Sequence, residues 1–274
     1  MITSRGNSAV RGVIALIKKS KEREQKGAFV IEGIRMYREV PEEMLQEVYI
    51  SARFKEKHPS FRPPAGVRFE VVADDVFESM SDTKTPQGII AVVSKFETGG
   101  VARVTGDGSL SRFEPGDTPL SEAEPPLIAA LENLQDPGNL GTIFRSAEAA
   151  GVTGILMDAN TCDVYNPKVV RATMGAIFRV PFTITDDLPG AVKDLQEKGI
   201  AAYAAHLKGS VPYTQPSYKE GTLFLIGNEG SGLSDEIAAI ADKRIRIPMK
   251  GKTESLNASV AASVLFFEAM RQRN

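Results

Sequence analysis

The chain is poor in the residues that would place it among several broad protein classes. A single cysteine, Cys162, excludes an internal disulfide. No apolar run approaches the ~18 residues of a membrane span. The opening stretch Met1-Ile-Thr-Ser-Arg-Gly-Asn also lacks the apolar core of a signal peptide. A cytoplasmic protein with no membrane partner is the expectation, and no metal site is expected. Histidine, the usual general base, occurs only as His58 and His206. Strong net charge is missing too: the formal value is -2, which by itself argues against a phosphate-rich partner.

That average hides an asymmetry. Residues 1 to 38 carry nine Lys/Arg against three acids. A basic end on a near-neutral protein suits a nucleic acid held at one side, and an ordinary solvated helix with surface lysines fits the charge count equally well. With 274 residues, 42% hydrophobic and 25% charged, the chain is long enough for two globular domains. Residues 95–126 are rich in Gly, Ser, Thr, Pro and acids with little periodicity, which predicts a flexible linker or insertion.

Before that stretch, helical spacing is found over 8–19, around 34–40 and at 74–80. Strand patterns fall at 28–31, 47–51, 68–72 and 88–93, predicting a small α/β domain. After it, apolar strands at 127–131, 154–157, 200–204, 223–226 and 245–247 alternate with helical patterns at 140–150, 167–176 and 256–271. Strands separated by helices imply parallel pairing in a doubly wound sheet, with ligands beyond the carboxyl ends of the strands.

Three polar blocks lie at such ends. The first is Glu132-Asn-Leu-Gln-Asp-Pro-Gly-Asn-Leu-Gly-Thr-Ile-Phe-Arg145. Its Asp-Pro-Gly reads as a turn, Asn139 as an N-cap, and Leu140, Ile143, Phe144 and Ala147 as one buried helix stripe, with Arg145 off it. Taken singly, Arg145 reads as a solvated helix arginine. The second, Gly227-Asn-Glu-Gly-Ser-Gly232, is glycine-rich but has Leu233 where a P-loop has lysine, and its glycine order is not that of a dinucleotide site. Similarly, Gly251-Lys-Thr253 has Arg246 where a P-loop has its first glycine. The third is Ser255-Leu-Asn-Ala-Ser-Val-Ala261, the start of a helix expected to bury Leu256, Val260, Val264 and Phe267. Its small residues admit close backbone approach, and a capped core helix explains them without function.

In combination the blocks are highly specific. Asn139-x-Gly141-x-x-x-Arg145, Gly227-Asn-Glu229-Gly-x-Gly232, and Ile247-Pro-Met249 with Ser255-Leu-Asn257-x-Ser259-Val-Ala261 resemble the signature of the SpoU (TrmH-like) branch of the SPOUT RNA methyltransferases. The resemblance spans residues 125–274 in the right order. More loosely, Ser4-Arg-Gly-Asn7, the basic helix from Lys18 to Arg23 and Gly27-Ala-Phe-Val-Ile-Glu-Gly33 resemble that family's substrate-binding domain, which is similar to RNA-binding ribosomal proteins.

The resemblance implies three segments: an RNA-binding domain over 1–95, a linker over 96–125 and a SPOUT domain over 126–274. The last would be a parallel sheet whose segment 223–271 forms a trefoil knot. The implied activity is 2'-O-methylation of a ribose in RNA by a homodimer, with S-adenosyl-L-methionine as donor. Ribosomal RNA of the large subunit is favoured by the separate N-terminal domain. A tRNA methyltransferase and a non-catalytic RNA-binding factor of the same fold are the alternatives.

The implied cofactor residues are Gly227, Gly230, Ile247, Pro248, Met249, Leu256 and Asn257. The implied catalytic set is Asn139, Arg145, Glu229, Ser255 and Asn257. In the family the arginine matching Arg145 is also a candidate base. Since a guanidinium gives up its proton only with difficulty, Arg145 is expected chiefly to stabilise the developing alkoxide and a neighbouring phosphate, with Glu229 orienting it or accepting a proton and Asn139, Ser255 and Asn257 orienting the ribose and Arg145. Arg5, Asn7, Lys18, Lys19, Arg23 and Arg171 are the expected RNA contacts. Arg171 fits a dimer contact or a plain surface arginine as well.

Overall fold

The computed structural model describes residues 1–96, 103–104, 110–111, 125–207 and 211–274. Most of the expected linker over 96–125 therefore lies outside the described residues. Within it, two short strands, β5 (Arg103–Val104) and β6 (Leu110–Ser111), pair antiparallel. The chain forms two compact units: Met1–Phe96 with Asp163–Phe178, and Glu97–Cys162 with Arg179–Asn274.

The first unit starts with helix α1 (Ser8–Lys18), whose N-cap Asn7 accepts a hydrogen bond from the Ala9 amide through Oδ1. Asn7, expected on RNA, thus spends its acceptor inside the fold. Helix α2 (Ser20–Lys26) ends where Gly27 turns left-handed at φ 55°. Strand β1 (Ala28–Glu32), helix α3 (Ile34–Glu39), strand β2 (Leu45–Ser51), helix α4 (Ala52–Lys57), strand β3 (Arg68–Val72), helix α5 (Asp74–Met80) and strand β4 (Ile89–Ser94) follow. The sheet order is β1-β4-β2-β3, antiparallel except for β2 with β3. Val10, Val13 and Leu16 of α1 pack with Val76, Phe77 and Met80 of α5 on its face.

The later segment, which carries helix α7 (Pro167–Thr173), closes this unit. The Tyr165 ring lies 5.0 Å from that of Phe29, and Asp163 accepts from Nε of Arg23 at 2.9 Å. Arg23 is only 4% exposed, and it also donates to the carbonyls of Leu16 and Ile17. This corrects the expectation that it contacts RNA. A guanidinium can be buried when its donors are satisfied, as here. Lys18 and Lys19 are exposed. Arg5 lies beside Asp75, and Arg171 donates to Asp82 at 3.1 Å.

The second unit is built on seven parallel strands: β7 (Leu127–Leu131), β8 (Gly154–Asp158), β9 (Phe182–Thr185), β10 (Ala201–Ala205), β11 (Val211–Pro212), β12 (Thr222–Ile226) and β13 (Lys243–Arg246). Their order is β11-β13-β10-β12-β7-β8-β9. Helices α6 (Pro137–Ala149), α8 (Leu188–Glu197), α9 (Asp235–Ile240) and α10 (Ala258–Arg273) connect and cover them. Strands β7 and β12 pair in register from Leu127 with Thr222 to Leu131 with Ile226, every residue buried on both faces. One side is filled by Val192, Leu195, Ile237 and Ala238 of α8 and α9.

Two local expectations change. Helix α6 begins at Pro137, not at 140: Asp136 is the N-cap, and its carboxylate accepts from the Asn139 amide at 2.8 Å. Asp-Pro-Gly is thus a helix start with proline at N1 rather than a separate turn, which frees the Asn139 side chain. Helix α10 buries Ala262, Leu265, Phe266 and Ala269, while Val260 and Phe267 of the expected stripe stand 47% and 43% exposed. Among the described residues, no helix is long and apolar enough to cross a membrane.

Removing Arg23 strands the Asp163 carboxylate and two carbonyls in a poorly solvated place. Arg23→Ala should destabilise the protein by about 3 kcal/mol, read by urea denaturation. Lys18→Ala and Lys19→Ala should each stay within about 0.5 kcal/mol of wild type.

Candidate active site

Because all seven strands of the second sheet run parallel, their carboxyl ends share one edge. The loops leaving β7, β12 and β13 meet there, and hydrogen bonds lace them together. Glu229, in the loop after β12, accepts from the amides of Gln135 at 3.1 Å and Asp136 at 2.9 Å and from Nδ2 of Asn139 at 3.0 Å. Oδ1 of Asn139 in turn accepts from Nδ2 of Asn257 at 2.8 Å. Oδ1 of Asn257 caps α10, accepting from the Ser259 amide at 2.9 Å and the Ser259 hydroxyl at 2.7 Å. One chain of side chains, Glu229 to Asn139 to Asn257, therefore joins three loops.

The loop after β12 is shaped from within. Asn228 and Gly232 form an antiparallel bridge, Gly232 sits at φ 72°, and Oδ1 of Asn228 accepts from the amides of Gly230 and Ser231. This hairpin folds so tightly over Gly227 that a Cβ there would lie 2.2 Å from the carbonyl carbon of Gly232. Only glycine allows that approach. Nδ2 of Asn228 donates to the Asn133 carbonyl at 2.7 Å, and the Ser234 amide donates to Glu132 at 2.8 Å. The β12 loop is thereby fastened a second time to the β7 loop.

Partial burial pushes the Glu229 carboxyl up. The hydrogen bonds from Asn139, Asp136 and Gln135, together with its own backbone, outweigh this and hold it below the usual carboxylate range. Glu229 is therefore an anion at neutral pH, with its lone pairs engaged by three donors. It makes no hydrogen bond to Arg145, so the support expected for Arg145 goes instead to Asn139 and the start of α6. Arg145 itself is exposed on α6. Among the described residues its guanidinium makes no hydrogen bond or ion pair, which leaves it available to an anion.

A cavity of about 530 Å³ opens beside these loops. Of the expected cofactor residues, Gly227, Gly230, Ile247, Met249 and Leu256 line it, as do Glu229 and Ser255. Pro248 and Asn257 stand outside the lining. Asn139 and Arg145 also stand outside it, on α6. The sequence reading missed His206, Leu207 and Asp235 on the wall, together with Ala258, Ala261 and Leu265 of α10. The alanines left a signal in the small-residue start of that helix. The end of β10 left none, because its neighbours in the site are remote in sequence. Volume, apolar walls and a few convergent polar groups suit a small organic ligand. Among the described residues, no cluster of three His, Cys, Asp or Glu could hold a metal.

Residues 126–267 match the model of the SpoU rRNA methylase family, and residues 7–91 match the MRM3-like substrate-binding domain. The chain is 30% identical over 250 residues to the 23S rRNA (guanosine(2553)-2'-O)-methyltransferase RlmP of Bacillus subtilis (strain 168), covering 90% of each protein. Two solved structures are similar over nearly the whole chain. The AdoMet-bound rRNA methyltransferase of Sinorhizobium meliloti has a TM-score of 0.78 at 28% identity, covering 98% of this chain and 97% of that one. The SpoU methyltransferase AviRb of Streptomyces viridochromogenes, in complex with the cofactor AdoMet, has a TM-score of 0.76 at 26% identity, with 97% and 99% covered.

The Glu229 anion contributes stability only while it is charged. Since its folded value is lowered from 4.5, the contribution is complete above the ordinary carboxyl range and fades as pH falls through the lowered value. Glu229→Gln should therefore be less stable than wild type by a constant amount above about pH 5. The gap should narrow in more acidic buffer, as measured by chemical denaturation across pH.

Proposed function

The chain belongs to the SpoU rRNA methylase family, and on that premise we propose that it transfers a methyl group from S-adenosyl-L-methionine to a ribose 2'-hydroxyl in 23S ribosomal RNA. The observation that carries this reading is the chain Glu229–Asn139–Asn257. It holds three loops at the rim of a cofactor-sized cavity while Arg145, among the described residues, stays unengaged.

Bound there, S-adenosyl-L-methionine supplies a methyl group already activated on a sulfonium. The protein's task is then placement and charge. The walls contributed by Ile247, Met249, Leu256 and Leu265, with the backbone of Gly227 to Gly232, would hold the donor and exclude water from it. Arg145 would receive the developing alkoxide or a neighbouring phosphate. Asn139 and Asn257 act through the lattice, fixing the starts of α6 and α10, and Ser255 stands on the cavity wall to meet the ribose. Glu229, already engaged by three donors, is a structural anion rather than a general base. The hydroxyl proton passes to solvent.

Large-subunit ribosomal RNA is favoured over tRNA by the match of residues 7–91 to a substrate-binding domain and by the name of the B. subtilis relative. The exposed Val260 and Phe267 on α10 support a homodimer, because apolar residues left outside the core suit an interface. A trefoil knot within residues 223–271 is consistent with the insertion of β12 and β13 between earlier strands. The cytoplasm is where such a substrate is met.

Transfer of labelled methyl groups to purified 23S ribosomal RNA and to tRNA, followed by mapping of the modified ribose, tests the reaction. Labelling of tRNA alone, or of neither, would sink the proposal. Arg145→Lys keeps the charge but loses the planar fork. It should lower kcat at least about 10-fold while leaving cofactor affinity unchanged by calorimetry, and wild-type turnover would refute the geometric role.

A further inference from the structure

Positive charge in the second unit is concentrated in one place. Lys243, Arg244, Arg246, Lys250 and Lys252 fall within ten residues that contain no acid, and all five are exposed. They occupy β13 and the loop that leads to Ser255. The preceding acid, Asp242, is engaged by the fold, where its carboxylate accepts from Nε2 of Gln196 at 3.0 Å and the Ala202 amide at 2.7 Å. Among the described residues, no ion pair engages Lys243, Arg244, Lys250 or Lys252.

The patch adjoins the site. Arg244 and Arg246 line the same cavity as Glu229 and Ser255, Lys250 and Lys252 lie in the loop that runs on from β13 toward Ser255, and Lys243 opens the same strand. A cationic methyl donor gains nothing from lysines outside its cavity, whereas a polyanion passing the cavity mouth does.

We propose that this segment is a track for the sugar-phosphate backbone of the substrate RNA, so that the methyltransferase unit grips the strand directly beside the cavity. The inference rests on the RNA reading above. It adds a surface beyond the basic N-terminal helices, one of whose arginines, Arg23, is buried in its own unit. Phosphate contacts of this kind position a strand without reading its sequence.

The test is the full-length triple variant Lys243→Gln, Lys250→Gln, Lys252→Gln, which spares the arginines of the cavity wall. Binding is measured by filter retention of a 30-nucleotide single-stranded RNA and of a 23S ribosomal RNA transcript at several salt concentrations. Without the three ammonium groups, the slope of log affinity against log salt should become shallower by about 2. Affinity at low salt should fall at least about 10-fold, while thermal midpoint and cofactor affinity stay at wild-type values. Unchanged RNA affinity and slope would overturn the proposal. So would unchanged binding accompanied by aggregation, which would assign the lysines to protecting a strand near the sheet edge. Because the readout is binding, it is independent of whether methyl transfer occurs. A protein that bound through this track but transferred no methyl group would fail the functional reading and keep this one.

Discussion

The second unit depends on one constraint at the strand ends: an ionised Glu229 surrounded by donors from another loop. Its two oxygens take the amides of Gln135 and Asp136 and the side chain of Asn139. The Asn139 side chain can reach only because Asp136 has already taken over the helix cap. The Asn139 carbonyl oxygen then sets Asn257, and Asn257 sets the first turn of α10. Loops are ordinarily the mobile part of an α/β protein. Here three of them share one hydrogen-bonded lattice, which makes the cavity largely preformed and reduces the ordering that a ligand must impose.

The price of that preorganisation falls on side-chain size. Gly227 accepts no Cβ because Gly232 folds onto it. Small residues at the start of α10 serve a related end: the Ser263 hydroxyl donates to that of Ser146 at 2.7 Å, bringing α10 against α6. Arg145, on the helix so held, makes no hydrogen bond or ion pair among the described residues, and its position is inherited from the lattice. A group meant to stabilise transient charge works best when it need not first be released from another ion pair.

Basic residues divide according to environment rather than sequence neighbourhood. In the first unit Arg23 is an internal tie, and Asn7 is a cap. Lys18 and Lys19, in the same stretch, are open to solvent. In the second unit five exposed cations, Lys243, Arg244, Arg246, Lys250 and Lys252, fall within ten residues after β12, where net charge alone gives no hint of them. A count along the chain sees all of these as equivalent, because burial and pairing across 140 residues, as between Arg23 and Asp163, leave no local pattern.

The sequence by itself determined the α/β class, the parallel second sheet, most element positions and the glycine-rich loop at a strand end. These follow from short-range periodicity and turn chemistry, which act within a few residues. The three polar blocks also identified the family, since their joint spacing is far more specific than any one of them. Tertiary structure decided what periodicity leaves ambiguous. Helix α10 carries two apolar stripes, and only packing against α6 and β12 selected the one with Leu265 and Phe266 for burial. It also decided that Asp136 caps α6, that Glu229 serves Asn139 rather than Arg145, and that His206 and Asp235 share a cavity with Leu256. Each of these depends on groups brought together across tens of residues, a distance over which only the folded chain carries information.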